Sequence, residues 1–91
     1  MVVPVLVLDR KTGRLESPPE IVTRGFIDLS ERSAELLEEA GRFLVEAVDG
    51  RPREERFDPA LTRERVRVEL RRFFKKRTQR RPLVIPVVME V

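Results

Sequence analysis

The sequence contains no cysteine, histidine, tryptophan or tyrosine, and its aromatic residues are five phenylalanines. Without cysteine the chain has no disulfides, and without histidine as well it lacks the usual ligands of a zinc site. A two-metal hydrolase needs a ligand set that holds its ions ~3.5–4 Å apart, so we expect no metal or other cofactor in this chain. A Gly-rich phosphate loop is also missing, which argues against a small hydrolase.

Long hydrophobic runs are missing too. No apolar stretch approaches the ~20 residues needed to cross a bilayer, and no basic start leads into a signal-like apolar segment. The 91 residues, 41% of them hydrophobic, suffice for one compact domain, which we place over residues 1–91. We therefore expect a soluble, cytoplasmic protein with no membrane partner.

Charge is unevenly distributed along the chain. Residues 1–50 carry 6 basic and 10 acidic side chains, a net charge of −4, whereas residues 51–81 carry 13 basic and 5 acidic side chains, a net charge of +8. Sixteen of the nineteen cations are arginine, which is typical of an RNA or phosphate surface, but also of a thermophilic or GC-rich source or of a solvated helix face. Composition alone does not separate these alternatives.

The first part of the chain predicts β-structure. Residues 2–8 are aliphatic and read as a strand entering a hairpin whose Gly13 supplies positive φ. Pro4 predicts an edge position or a bulge for this strand, because proline cannot donate to a ladder. Residues 14–17 form the predicted return arm, which ends at two prolines, and residues 21–29 form the next strand, with Ile21 on its core face.

The middle of the chain predicts two amphipathic helices. Apolar residues at helical spacing place the first helix at about 31–48, with Ser30 as its N-cap and Gly50 after its end. Residues 51–57 read as a polar connection without periodicity. Asp58 followed by Pro59 is a strong start signal, and the second helix is predicted at about 59–77.

The chain closes with an apolar strand, residues 82–91, that is interrupted by Pro86, which again predicts an edge or a bulge. The element order is therefore β-β-β-α-α-β. This order predicts an α+β two-layer sandwich: a small sheet of three to four strands with two α-helices packed on one face.

Three segments resemble the C-terminal domain of bacterial ribonuclease J: residues 7–15, residues 19–26 and residues 75–91. The last is the most specific, because Thr-x-Arg-Arg-Pro, at residues 78–82, leads into an apolar strand that ends in Met-Glu-Val. The resemblance covers the chain from residue 3 onward.

This resemblance implies an accessory domain of an enzyme that processes and degrades RNA by exo- and endonucleolytic cleavage. In that family the catalytic body is a metallo-β-lactamase domain with an inserted β-CASP domain, and histidines and aspartates there hold two metal ions, usually zinc. None of those motifs is present here, so no catalytic, cofactor-binding or metal-binding residue carries over. The implied role is subunit association, or docking to the catalytic domains.

Two sets of residues are candidate contact sites. The association surface is predicted on the last strand, because prolines direct its apolar residues to a sheet edge that a small domain cannot cover. Its members are Leu83, Ile85, Val87, Met89 and Val91. The alternative function is an RNA-contacting module on the basic face, since clustered cations release counterions from phosphate. Its candidate residues are Arg71, Arg72, Lys75, Lys76, Arg80 and Arg81.

Ordinary structural roles compete with each functional interpretation. Cations in a last helical turn complement the helix dipole, and Arg63, Arg67 and Arg71 form a row that solvated helices often present. Phe57, before the helix cap, is more consistent with a hydrophobic staple on Leu61 or Thr62 than with base stacking. Gly25, between Arg24 and Phe26, is typical of a bulge in a strand, and the adjacent glutamate pairs are expected to be solvated.

Overall fold

A three-stranded sheet and two long helices form the molecule in the computed structural model, which describes residues 1–24 and 31–91. The elements in chain order are β1 (Val2–Leu8), β2 (Glu20–Thr23), α1 (Glu31–Asp49), α2 (Arg53–Arg56), α3 (Pro59–Thr78) and β3 (Val87–Glu90). The predicted α+β class, with helices packed on the sheet, is confirmed. The predicted cap Ser30 and the later part of the predicted strand 21–29 lie outside the described residues.

Strand β1 is the centre of the sheet, whose order is β2-β1-β3. It pairs antiparallel with β2 and parallel with β3. The prediction that Pro4 places this strand at an edge or a bulge is therefore wrong. Val2 donates its N–H to the Leu83 carbonyl (2.8 Å) and accepts from Ile85 N–H (2.9 Å). The N–H and C=O groups of successive strand residues point to alternate sides, so the nitrogen of Pro4, like that of Val2, faces β3. The β1–β3 ladder therefore lacks one N–H donor, a loss that it tolerates.

The last strand is interrupted where the sequence predicts. Val84 bridges Val2, and β3 then pairs in the same register from Val87 opposite Val5. That register places Pro86 beside Pro4, so the parallel ladder has its gap where the two prolines meet. Because β3 is an edge strand, the prediction made from Pro86 is confirmed.

The predicted return arm is not a separate strand. Leu15 forms an isolated bridge with Leu8, and Glu16 N–H donates to the Val7 carbonyl (2.8 Å). These pairs lie along the same edge of β1 as β2 does. The two prolines at residues 18 and 19 cannot donate to the ladder, and the segment that contains them adds extra residues between the Leu15 bridge and β2. One antiparallel partner is thus split into a bridge and a short strand.

The long helices closely match their predicted bounds. Asp58 caps α3 by accepting from the Ala60 and Leu61 N–H groups at 3.0 and 3.2 Å, and Pro59 occupies the first turn. The helix ends at Gln79, which has a left-handed backbone (φ 63°). The connection 51–57, predicted without structure, contains the one-turn helix α2, which follows Pro52 and has two glutamates in its first turn.

The core lies between the helices and one face of the sheet. Alternate residues of β1 are buried, so its even-numbered side chains meet the apolar stripes of α1 and α3. Phe43 and Phe73 stack between the two helices with ring centroids 5.2 Å apart. The buried hydrophobic residues are Val2, Leu6, Leu8, Ala40, Leu44, Val48, Val66, Leu70, Phe74 and Val84. Among the described residues, no helix is long and apolar enough to span a membrane.

Candidate interaction surfaces

The sheet face that points away from the helices is apolar and uncovered by the described residues. Val3, Val5 and Val7 form its half-buried centre. Register places Val87 beside Val5 and Met89 beside Val7, so their side chains share this face. We call it the outer sheet face.

All five residues of the predicted association surface are exposed, and the odd-numbered alternation of the last segment places them on the outer sheet face. Their exposed fractions are 65% for Leu83, 44% for Ile85, 39% for Val87, 47% for Met89 and 63% for Val91. The structure therefore brings them together with the valines of the central strand. Exposed apolar patches of this kind are typical of interaction sites.

Charged residues border the outer sheet face along its β2 side. Glu16 pairs with Val7 and Glu20 with Val5, whereas Arg24 pairs with Met1 at the other end of the strand. Side chains of opposed residues in an antiparallel pair point to the same face. This border is thus acidic at one end and basic at the other.

A second candidate surface is a shallow groove on α3, with a volume of about 340 Å³. Val68 and five cations line it, and we call it the basic groove. The cations are Arg67, Arg71, Arg72, Lys75 and Arg81. Four of the six predicted RNA-contact residues are therefore brought together, whereas Lys76 and Arg80 are exposed but do not line the groove.

Two of these five cations have carboxylate partners. Arg67 donates from Nε to Glu64 Oε2 at 3.1 Å, and Arg72 Nη1 lies 3.6 Å from Glu69 Oε1. The hydrogen bond from Arg67 lowers the pKa of the Glu64 carboxyl, and the same bond raises the pKa of Arg67. Among the described side chains, no carboxylate lies within 4.0 Å of the charged groups of the other three groove cations, Arg71, Lys75 and Arg81.

The chain is similar in sequence to proteins of a known family. A profile for the ribonuclease J C-terminal domain matches residues 1–91. The chain is 34% identical over 87 residues to proteins named Ribonuclease J 2 from Staphylococcus aureus (strain NCTC 8325 / PS 47) and from Staphylococcus epidermidis (strain ATCC 35984 / DSM 28319 / BCRC 17069 / CCUG 31568 / BM 3577 / RP62A). The matched region covers 96% of this chain and 15% of either relative.

The chain belongs to the ribonuclease J C-terminal domain family. The resemblance found in residues 7–15, 19–26 and 75–91 is thereby confirmed. The chain spans only 15% of the length of these relatives, so it matches a small part of each of them. Within the described residues, no group of three or more histidine, cysteine, aspartate or glutamate side chains is placed to hold a metal ion.

One polar feature of this ribonuclease J domain was not anticipated from its sequence. Arg51 is 4% exposed and donates from Nη2 to Thr62 Oγ1 at 2.7 Å and from Nε to the Val48 carbonyl at 3.2 Å. Burial lowers the pKa of this guanidinium, and nearby Glu55 opposes that shift. An arginine that follows the end of a helix is usually a solvated surface cation, so no local sequence pattern predicts that Arg51 is buried. Its role is to join the end of α1 to the start of α3.

Proposed function

We propose that this ribonuclease J C-terminal domain is a non-catalytic association module, and that its outer sheet face packs on the same face of a second copy. It would serve a cytoplasmic, RNA-degrading enzyme whose catalytic groups lie elsewhere. The observation that carries the proposal is the apolar face formed by β1 and the residues from Leu83 to Val91, which the described part of the chain leaves uncovered. Two sheets that pack face to face would bury these side chains in a layer ~10 Å thick.

Packing through the face is favoured over pairing through the β3 edge. Ile85 and Val91 direct their N–H groups toward β1, so the nitrogen of Pro86, one residue from Ile85, is directed to the free edge. Proline there cannot donate to an added strand, and it weakens a continuous sheet between two copies. Packing through the apolar side chains of the face needs no backbone donor, so Pro86 does not oppose it.

The charged border supports a second copy as the partner. In a twofold arrangement whose axis runs midway between the two sheets, parallel to both and across the strands, the basic end of one border faces the acidic end of the other. Arg24 of one copy would then meet Glu16 or Glu20 of the second, and the contact would repeat by symmetry. A self-complementary pattern of this kind is what an isologous interface requires.

Light scattering of the 91-residue chain over about a hundredfold concentration range tests the proposal. We expect twice the chain mass of 10.7 kDa, and a shift toward the single-chain mass on dilution. Met89→Lys places a charge on the face and should give the single-chain mass at concentrations where the unchanged protein is a dimer. Leu61→Lys is the matched control, because Leu61 on α3 is 51% exposed and Met89 is 47% exposed.

A charge exchange tests the arrangement itself. Arg24→Glu alone should weaken the dimer, and adding both Glu16→Arg and Glu20→Arg should restore it, because the border charges are then reversed together. If the unchanged chain is monomeric at every concentration, self-association is wrong and the face is assigned to docking on the catalytic domains. Equal loss of dimer in the Leu61 and Met89 variants would show that another surface is responsible.

A further inference from the structure

We propose that the basic groove binds the phosphates of single-stranded RNA without reading its bases. This inference concerns the solvent side of α3 and goes beyond association through the sheet. The five cations of the groove come from two segments, α3 and the chain that turns back after Gln79. Their convergence is therefore a tertiary feature.

Helix geometry aligns three of these cations. Arg67, Arg71 and Lys75 follow one another at intervals of four residues, which corresponds to a rise of ~6 Å per interval and ~12 Å in all. Each of these cations directly follows a buried residue of α3, namely Val66, Leu70 or Phe74, so the row lies about 100° around the helix from the buried stripe. Arg71 is exposed, and Arg67 and Lys75 are half-buried, so the row is accessible along the flank of the helix and can follow an extended polyanion.

The helix dipole does not account for the whole row. Lys75, Lys76 and Arg77 are in the last turn, where cations complement the dipole. Arg67 and Arg71 lie further from the helix end, and the dipole effect fades beyond the last turn. Arg71 and Arg81 have no ion-pair partner among the described side chains, and no carboxylate lines the groove. Three acidic residues, Glu55, Glu64 and Glu69, lie in the neighbouring depression toward the start of α3.

The lining of the groove indicates phosphate recognition and not base recognition. Of the described residues that line it, Val68 is the one apolar side chain, and none is an aromatic residue that could stack on a base. Phe73 and Phe74 pack on the inner side of the helix. Binding should therefore be insensitive to sequence and strongly dependent on salt.

RNA is the partner that fits this family of ribonucleases. The groove is formed by α3 and Arg81, and α3 packs on the inner face of the sheet, whereas the association proposal uses the outer face. A domain that associates through its sheet would therefore keep the groove open to RNA. Failure of one proposal leaves the other intact, since dimer mass and RNA affinity are separate measurements.

Fluorescence anisotropy with a labelled oligouridylate of about 12 nucleotides, titrated with the 91-residue chain at several salt concentrations, tests the groove. The double variant Arg71→Gln with Lys75→Gln removes two groove cations. Each single-strand phosphate contact contributes about 0.7 to the slope of log affinity against log salt. We expect the slope to fall by about 1.4 and the affinity at 0.1 M salt to fall by about 25-fold.

The matched control removes two exposed arginines outside the groove, Arg14→Gln with Arg42→Gln. It lowers the net charge equally and should leave slope and affinity nearly unchanged. Circular dichroism melting confirms that both double variants fold. An oligocytidylate should bind as tightly as the oligouridylate.

Three results would overturn the proposal. The first is failure of the unchanged chain to bind RNA at low salt. The second is an equal loss of affinity in both double variants, which would indicate a diffuse charge effect. The third is displacement of the labelled RNA by oligoglutamate of equal charge as effectively as by unlabelled RNA, which would assign the groove to acidic protein segments.

Discussion

The guanidinium of Arg51 and the hydroxyl of Thr62 form a buried hydrogen bond of 2.7 Å between the end of α1 and the first turn of α3. Thr62 Oγ1 also donates to the Asp58 carbonyl at 3.0 Å, so the bond is anchored to the helix cap. This contact fixes the relative position of the two long helices. Those helices in turn cover the inner face of the sheet.

Thr62→Val should therefore destabilise the domain. The valine keeps the volume but leaves the Arg51 Nη2 group buried without this acceptor, which costs about 1–3 kcal/mol. Urea denaturation followed by circular dichroism measures the free energy of unfolding. Thr62→Ser keeps the oxygen and should recover most of the loss. Equal losses in the two variants would attribute the effect to packing.

Two glycines should respond in opposite directions to alanine. Gly13 has φ +73°, and an added Cβ would lie 2.8 Å from both the carbonyl oxygen and the Cβ of Arg56, so Gly13→Ala should lower the free energy of unfolding by about 2 kcal/mol or more. Gly41 lies within α1 with nothing within 4 Å of an added Cβ. Gly41→Ala should raise the free energy of unfolding by about 0.5–1 kcal/mol. Thermal melts distinguish the two signs.

The cap of α3 gives a third prediction. Asp58→Ala removes the acceptor for the Ala60 and Leu61 N–H groups and should cost about 1 kcal/mol of folding free energy. Asp58→Ser restores an acceptor and should remain close to the unchanged protein in the same melts. A neutral effect of the alanine variant would show that Pro59 alone sets the helix start.

The pairing of Glu64 with Arg67 predicts a gain of RNA affinity. Glu64→Gln weakens the hold on Arg67 and should add about one phosphate contact, which steepens the salt slope by about 0.7 and raises affinity at 0.1 M salt about fivefold. The control Glu38→Gln changes the net charge equally, on α1 and away from the groove. Similar gains in both variants would contradict a specific role for Arg67.

The same pair makes RNA binding dependent on pH. The pKa of Glu64 is lowered by its hydrogen bond from Arg67, so the pairing persists above the ordinary glutamate range and is lost as pH falls through the lowered pKa. Arg67 stays protonated throughout, because its pKa is raised. RNA affinity should therefore rise in that acidic window, and Glu64→Gln should remove this part of the pH dependence. Anisotropy titrations at a fixed salt concentration measure it.

The sequence by itself determined the local elements and the family. Asp58 and Pro59 set the start of α3 within a few residues, where a cap and a fixed φ act. Apolar spacing set the helical faces, and the segments from residue 75 to the end identified the ribonuclease J domain. Alternation along the last segment also placed its apolar residues on one exposed face. Each of these patterns lies within a short stretch of the chain, so it can be recognised without knowing which distant residues it contacts.

Tertiary structure decided which strands are neighbours and which charges meet. Val2 pairs with Val84 from the far end of the chain, and this closure places β1 in the centre despite Pro4. The turn after Gln79 brings Arg81 into the same groove as Arg67, and burial makes Arg51 a link between helices instead of a surface cation. Each outcome depends on residues far apart in sequence, whose meeting is set by packing of the whole core, so no local pattern encodes it.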